Sequence, residues 1–205
     1  MASSDEDVLS LIMTPNVPVN TTLATEDGKV YYTIFTEHGK TSRTQVRNAH
    51  EEIIASLEWR DTLPDKVTFG RNKPVSIWDW MKKSVIPFKH DLTFQDEQGR
   101  QYRWKGNSVG RSLELSALDT EGPIAFFHAS RRSPNPGGIS LPPIWTEAKL
   151  NLNARAREIQ DLVVASFLFI EKTRRENENT SLNAADVRGA SVFRALLTTG
   201  GVGGW

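Results

Sequence analysis

"DLVVASFLFIEKTRREN", Asp161 to Asn177, is the stretch whose reading decides the fold. A helix at the surface of a globular protein carries one apolar stripe and one polar face. Here Leu162, Val163, Val164, Phe167, Leu168, Phe169 and Ile170 leave no polar face. A membrane-spanning helix needs about 20 apolar residues, and this run reaches its first charge at Glu171. The segment is too apolar for a surface helix and too short for a span. A helix apolar on all sides must be buried on all sides. The sequence has to supply the walls.

Working back from it, the walls are β-strands. "KVYYTIFT" (29–36), "TSRTQVRN" (41–48), "EEIIASLEWR" (51–60) and "DKVTFG" (65–70) alternate or carry β-branched and aromatic residues between turn signals. In the third of these, Ile53, Ala55, Leu57 and Trp59 alternate with Glu52, Ile54, Ser56 and Glu58. Strand signals resume in "DLTFQDEQGRQYRWKG" (91–106), where "DEQG" reads as a hairpin turn with Phe94, Tyr102 and Trp104 inward. "SLELSAL" (112–118), "GPIAFFHAS" (122–130) and "TEAKLNLN" (146–153) follow, the last two separated by a proline- and glycine-rich loop, "RRSPNPGGISLPP" (131–143). One short helix interrupts the β rhythm in "KPVSIWDWMKKS" (73–84). Ser76 is its N-cap, with Asp79 three residues on. Ile77, Trp80 and Met81 share its inner face, Lys82 and Lys83 sit in its last turn, and Pro87 closes it.

The expected fold is therefore mainly β: a closed or nearly closed antiparallel barrel around a hydrophobic C-terminal helix at 154–177, with one extra short helix. A barrel encloses a narrow apolar space, and the helix fills it, with the charged end from Glu171 to Glu176 emerging into solvent. Residues 1–20 read as a loosely held arm, 21–177 as the barrel domain and 178–205 as a glycine-rich tail.

Composition bounds the function. The 205 residues are 38% hydrophobic and hold 25 basic and 25 acidic side chains. Zero net charge gives no reason to expect nucleic acid as a partner. Without cysteine there is no disulfide framework and no thiolate site. With an acidic N-terminus unlike a secretory signal, this fits an intracellular, cytoplasmic protein. Catalytic motifs are missing. "HEEII" (50–54) starts like a zinc-protease motif, but Ile54 stands where the second histidine belongs. "GNSVGRS" (106–112) lacks the spacing and the lysine of a phosphate loop and reads as a turn. His38, His50, His90 and His128 are scattered along the chain, and no metal or cofactor is expected.

"FQDEQGRQYRWKG", "LEL", "GPIAFFHAS" and "LNLNARAREIQDLVVASFLFIEKTRR", in that order, resemble a family of uncharacterised basidiomycete proteins, a domain of unknown function. "TSRTQVRN…IIASLEWR" and "VSIWDWMKKS" fit its N-terminal half, and the resemblance covers about residues 20–176. That family is similar to the tubby and phospholipid-scramblase group, whose fold is a closed barrel around a C-terminal hydrophobic helix. The resemblance implies contact with lipid. It supplies no residue set.

Three functions stay open. The first is a non-catalytic binding module for an anionic lipid headgroup or an amphipathic small ligand, peripheral to a membrane. Its candidate residues are Arg131 and Arg132, which with His128 could line a rim pocket, and Lys172, Arg174 and Arg175 at the exposed end of the helix. The second is an enzyme acting on a small apolar molecule at the barrel mouth, with Asp161 or His128 as acid or base. The third is a structural or partner-binding protein that uses an exposed Trp78 beside Lys82 and Lys83, or the C-terminal tail at 178–205. The other tryptophans, Trp59, Trp80, Trp104 and Trp145, are expected mostly in the core.

Overall fold

A computed structural model describes the backbone of residues 8–85, 91–107, 112–137 and 141–199, and side chains as far as Thr180. Pro87, His90 and the centre of "GNSVGRS" lie outside the described residues, as do 1–7 and 200–205.

The chain folds in the order β1 (Leu9–Thr14), β2 (Thr21–Ala24), β3 (Val30–Glu37), β4 (Ser42–Asn48), β5 (Ile53–Trp59), β6 (Lys66–Phe69), β7 (Val75–Ser76), α1 (Ile77–Trp80) and β8 (Lys82–Lys83). Then come β9 (Leu92–Gln95), β10 (Gln101–Lys105), β11 (Leu113–Ala117), β12 (Pro123–His128), β13 (Arg131–Ser133), β14 (Ile144–Thr146), β15 (Lys149–Leu152), α2 (Ala154–Glu158) and α3 (Gln160–Thr199). Thirteen of these strands make one antiparallel sheet in the order β7-β6-β5-β4-β3-β2-β1-β15-β12-β11-β10-β9-β8, among the described residues. β13 and β14 pair only with each other.

The sheet curls around the first half of α3. Every residue from Val163 to Glu171 is buried. Side chains from distant strands meet that helix: Tyr32 of β3 at Asp161, Trp104 of β10 at Ser166, Phe127 of β12 at Phe167 and Trp59 of β5 at Phe169. Inward residues alternate along each wall, as in β11, where Leu113, Leu115 and Ala117 are buried. The apolar helix is the core, and the sheet is its wrapping.

The sheet does not close as expected. No ladder joins β7 to β8, its two edges, among the described residues. Each has only two residues, and α1 stands between them. Trp80 spans that gap, with its ring 4.8 Å from Phe69 of β6 and 5.6 Å from Phe94 of β9. A line of aromatic contacts thus covers a seam that hydrogen bonds leave open.

Other boundaries move too. The N-terminal arm contains β1, which lies in mid-sheet between β2 and β15. Leu9, Leu11 and Met13 alternate inward there, a period hidden by the polar composition around it. Ile53 is exposed although Ala55 and Leu57 are buried, because β5 bulges at Ile54, which has no partner between the pairs Val46–Ala55 and Arg47–Ile53. Ser76 does cap α1, its hydroxyl accepting from the Trp78 amide. The helix stops after one turn, and Lys82 and Lys83 pair with Thr93 and Leu92 as a strand rather than forming its last turn. The C-terminal helix is broken at Ile159 and runs on to Thr199 instead of ending near Asn177. No proline or glycine interrupts it between Glu171 and Arg188.

The β9–β10 hairpin turns at "DEQG", as its sequence predicts, and Phe94, Tyr102 and Trp104 point inward. Asp96 organises the turn: its carboxylate accepts from the Gln98 and Arg100 amides, the Arg100 side chain at 2.7 Å and the Tyr102 hydroxyl at 3.0 Å. Burial pushes this carboxyl up, but those hydrogen bonds, Arg100's foremost, outweigh it and hold it below the usual carboxylate range. A carboxyl held low in the folded state adds stability above its unfolded pKa and loses it as pH falls through the folded one. We expect Asp96→Asn to flatten the loss of stability below about pH 4. Denaturant unfolding of both proteins at neutral and acid pH checks this. Equal acid sensitivity of the two would refute it.

Candidate functional site

Where α3 leaves the sheet, its charges are turned inward. Glu171 is 1% exposed, which corrects the expectation that the charged end begins in solvent. A buried carboxylate needs paired cations, and it has two. Arg174 reaches it at 2.6 Å and Arg175 at 2.7 Å. Their spacings, i+3 and i+4, put both on the face of Glu171. Arg175 also donates to the carbonyl and the side-chain oxygen of Asn16, both at 2.6 Å, tying the loop after β1 to the helix. Lys172 bonds Glu176 at 2.6 Å and lies over the Trp59 ring, 4.0 Å from its centre. All three candidate cations of this cluster therefore have partners within the fold.

Beside this exit lies a pair of tryptophans. Trp59 stacks on Phe169, with centroids 6.0 Å apart, and its indole N–H donates to Thr44 at 2.7 Å. Trp78 meets the same phenylalanine edge-on at 5.7 Å while remaining 36% exposed. The ammonium of Lys83 sits 4.2 Å above its ring, and Lys82 is exposed next to it. This surface is as the helical spacing of Trp78 suggests, although the two lysines reach it from a strand.

The second basic pair lies on a different kind of element. β12 and β15 are neighbours with His128 opposite Lys149, and beyond that pair the two chains continue as the β13–β14 ribbon. His128 is exposed on the outer face of β12, stacked on Phe126, while Phe127 between them points in. Arg131 and Arg132 are exposed on β13. Opposite them stand Thr146 and Trp145, and the guanidinium of Arg132 lies 5.9 Å from the Trp145 ring centre. Trp145 is 65% exposed, which corrects its assignment to the core. Its neighbours in sequence explain this, since Pro142 and Pro143 precede it and β14 pairs with β13 alone among the described residues.

The two acid–base candidates do not meet. Asp161 is exposed at the start of α3 and accepts from the Tyr32 hydroxyl at 2.6 Å, while Gln160 donates to that same hydroxyl at 2.8 Å. Burial and the neighbouring carboxylate push the Tyr32 phenol far above its ordinary range, so it remains a donor. His128 lies outside the wall, and nothing links it to Asp161. Asp161 fastens helix to wall, and Phe167, Phe169 and their neighbours are buried between helix and sheet. A surface depression of about 390 Å³ lies elsewhere, lined by Val8, Tyr31, Asp27 and Arg157 among others. No cluster of three His, Asp or Glu side chains fit to hold a metal occurs among the described residues. No described helix is long and apolar enough to cross a membrane.

Gly106 resolves the "GNSVGRS" turn at its described end. Its φ is +81°, and a Cβ there would meet the Ser112 carbonyl oxygen at 1.9 Å. The glycine serves the close approach of the Gly106 and Ser112 backbones.

A family described as "Family of unknown function (DUF6593)" matches residues 16–176. The chain belongs to this family. The match begins at Asn16, the residue held by Arg175, and ends at Glu176, the partner of Lys172. The matched range holds every strand of the sheet but β1, together with the buried half of α3. No curated protein and no solved structure matches the chain.

Proposed function

We propose that this member of the family is a non-catalytic binding module that recognises anionic, amphipathic lipid on its outer surface, peripheral to a membrane. The carrying observation is the division of the molecule: α3 fills the interior, and exposed tryptophans outside are paired with cations, Trp78 with Lys83 and Trp145 with Arg132. Cations near an anionic surface attract it, and tryptophan favours the boundary between water and hydrocarbon. Among the candidate cations, Arg131, Arg132, Lys82 and Lys83 are the exposed ones, and the reading rests on them. The resemblance to uncharacterised basidiomycete proteins, and through them to the tubby and phospholipid-scramblase group, supports it. In that group too a wall of strands encloses an apolar C-terminal helix.

The test is co-sedimentation of the full chain with vesicles of phosphatidylcholine alone and of phosphatidylcholine mixed with phosphatidylserine. Binding should require the anionic lipid. It should weaken as salt shortens the Debye length from about 10 Å at 0.1 M toward about 3 Å at 1 M. Failure to bind any anionic vesicle at low salt would remove the proposal.

A further inference from the structure

The β13–β14 ribbon is unlike the rest of the sheet. Two-stranded ribbons are marginal alone in water, and one face normally packs on something. Here the large apolar groups of both faces are exposed among the described residues. The pairs are Arg131 with Thr146, Arg132 with Trp145 and Ser133 with Ile144. Alternation along a strand therefore puts Arg131 and Ile144 on one face and Arg132 and Trp145 on the other. Ile144 is 48% exposed and Trp145 65%, and Leu141, where the chain returns from the tip, is 49% exposed. Each face offers one large apolar side chain and one arginine.

The two arms are joined beyond the ladder. Asn135 donates to the Pro142 carbonyl at 3.0 Å and accepts from the Gly137 amide at 2.9 Å, so the two arms are bridged. Prolines 134, 136, 142 and 143 restrict the chain on both sides. The bridge and the prolines constrain the arms that carry the exposed apolar groups. Between His128 and Lys149 the chain carries Arg131, Arg132 and Lys149 against Glu147, a local excess of positive charge in a protein of zero net charge.

A protein partner with a flat docking surface would cover one face of such a ribbon and leave the other wet. A fluid lipid interface surrounds both. There, long arginine side chains can keep their stems among apolar groups while their heads reach phosphate, and tryptophan settles at headgroup level. We infer that the β13–β14 ribbon is the element that enters an anionic bilayer surface, with Trp145, Ile144 and Leu141 inserted and Arg131 and Arg132 held at the phosphates. The inference rests on the lipid-surface reading and assigns it to one element.

The experiment compares three full-length proteins on phosphatidylcholine–phosphatidylserine vesicles: the parent, Ile144→Ser/Trp145→Ala, and Arg131→Gln/Arg132→Gln. All four positions are exposed, so thermal unfolding curves should coincide and any change in binding is not a change in folding. The apolar double variant should lose about tenfold or more in partitioning. The arginine pair should lose about thirtyfold at low salt and show a flatter salt dependence. Phospholipid brominated on its acyl chains should quench the parent's tryptophan fluorescence, and the quenching should fall in the apolar variant. If the parent binds and both variants bind equally well, the ribbon assignment is wrong and the lipid-surface reading stands with Trp78, Lys82 and Lys83 as its remaining basis. If the parent binds no vesicle, both fall together.

Discussion

Glu171→Ala should cost the fold about 3–5 kcal/mol, because it removes a buried carboxylate on which two arginines converge. The carboxylate is 1% exposed, and Arg174, which it holds at 2.6 Å, is itself buried. Replacing a buried ion pair with apolar groups can be neutral, but removing one partner costs more, because the other keeps its charge in the interior and loses its nearest opposite charge. The substitution also frees Arg175 from one of its two anchors, loosening the strap from α3 to Asn16. Single domains have about 5–15 kcal/mol to lose, so the variant should melt well below the parent or express poorly. Urea unfolding gives the number, and Lys172→Ala supplies the comparison. Lys172 is paired with Glu176, which is mostly exposed, and pairs of that kind contribute about 0–1 kcal/mol. A Glu171→Ala midpoint no lower than that of Lys172→Ala would mean the cluster is wet after all.

The sequence motif beneath this prediction shows where reading stops. In "IEKTRREN", i+3 and i+4 pairs of opposite sign are visible on the page. They read the same on a solvated helix as on a buried one. What decides between them is how far the wall extends along α3, and that depends on strands more than a hundred residues away. The apolar run itself is different. Leu162 to Ile170 cannot be satisfied by any surface position, so burial on all sides follows from composition alone. The alternation of Phe94, Tyr102 and Trp104 was legible for the same reason, since period two leaves one face polar. Closure of the sheet was not legible. It turns on whether two strands of two residues each pair across a gap, and α1 takes that place instead. Trp145 misled because aromatic residues usually mean core. The informative signal was its setting, two residues after a pair of prolines, in a segment poorly suited to a central strand.

Phe167→Ala tests the other half of the architecture, the claim that the interior is packing and the recognition is outside. Phe167 is fully buried, with its ring 4.5 Å from Phe127 and 6.5 Å from Trp104. Truncation removes its contacts and leaves a cavity between helix and wall, and comparable substitutions cost about 3–5 kcal/mol. Phe35→Ala, on the half-exposed outer face of β3, should change stability by no more than about 0.5 kcal/mol. The two phenylalanines thus separate inside from outside by denaturation alone. Vesicle binding carries the separation into function. A ligand held between α3 and the sheet would lose its contacts when Phe167 is cut away, and its affinity would change in the molecules still folded. A ligand met on the outer surface would not register the cavity. At a temperature where both proteins are folded, Phe167→Ala should therefore partition onto anionic vesicles as the parent does, despite its lower melting point. Altered partitioning at equal folded fraction would place the lipid contact inside the sheet and reverse the assignment of function to the surface.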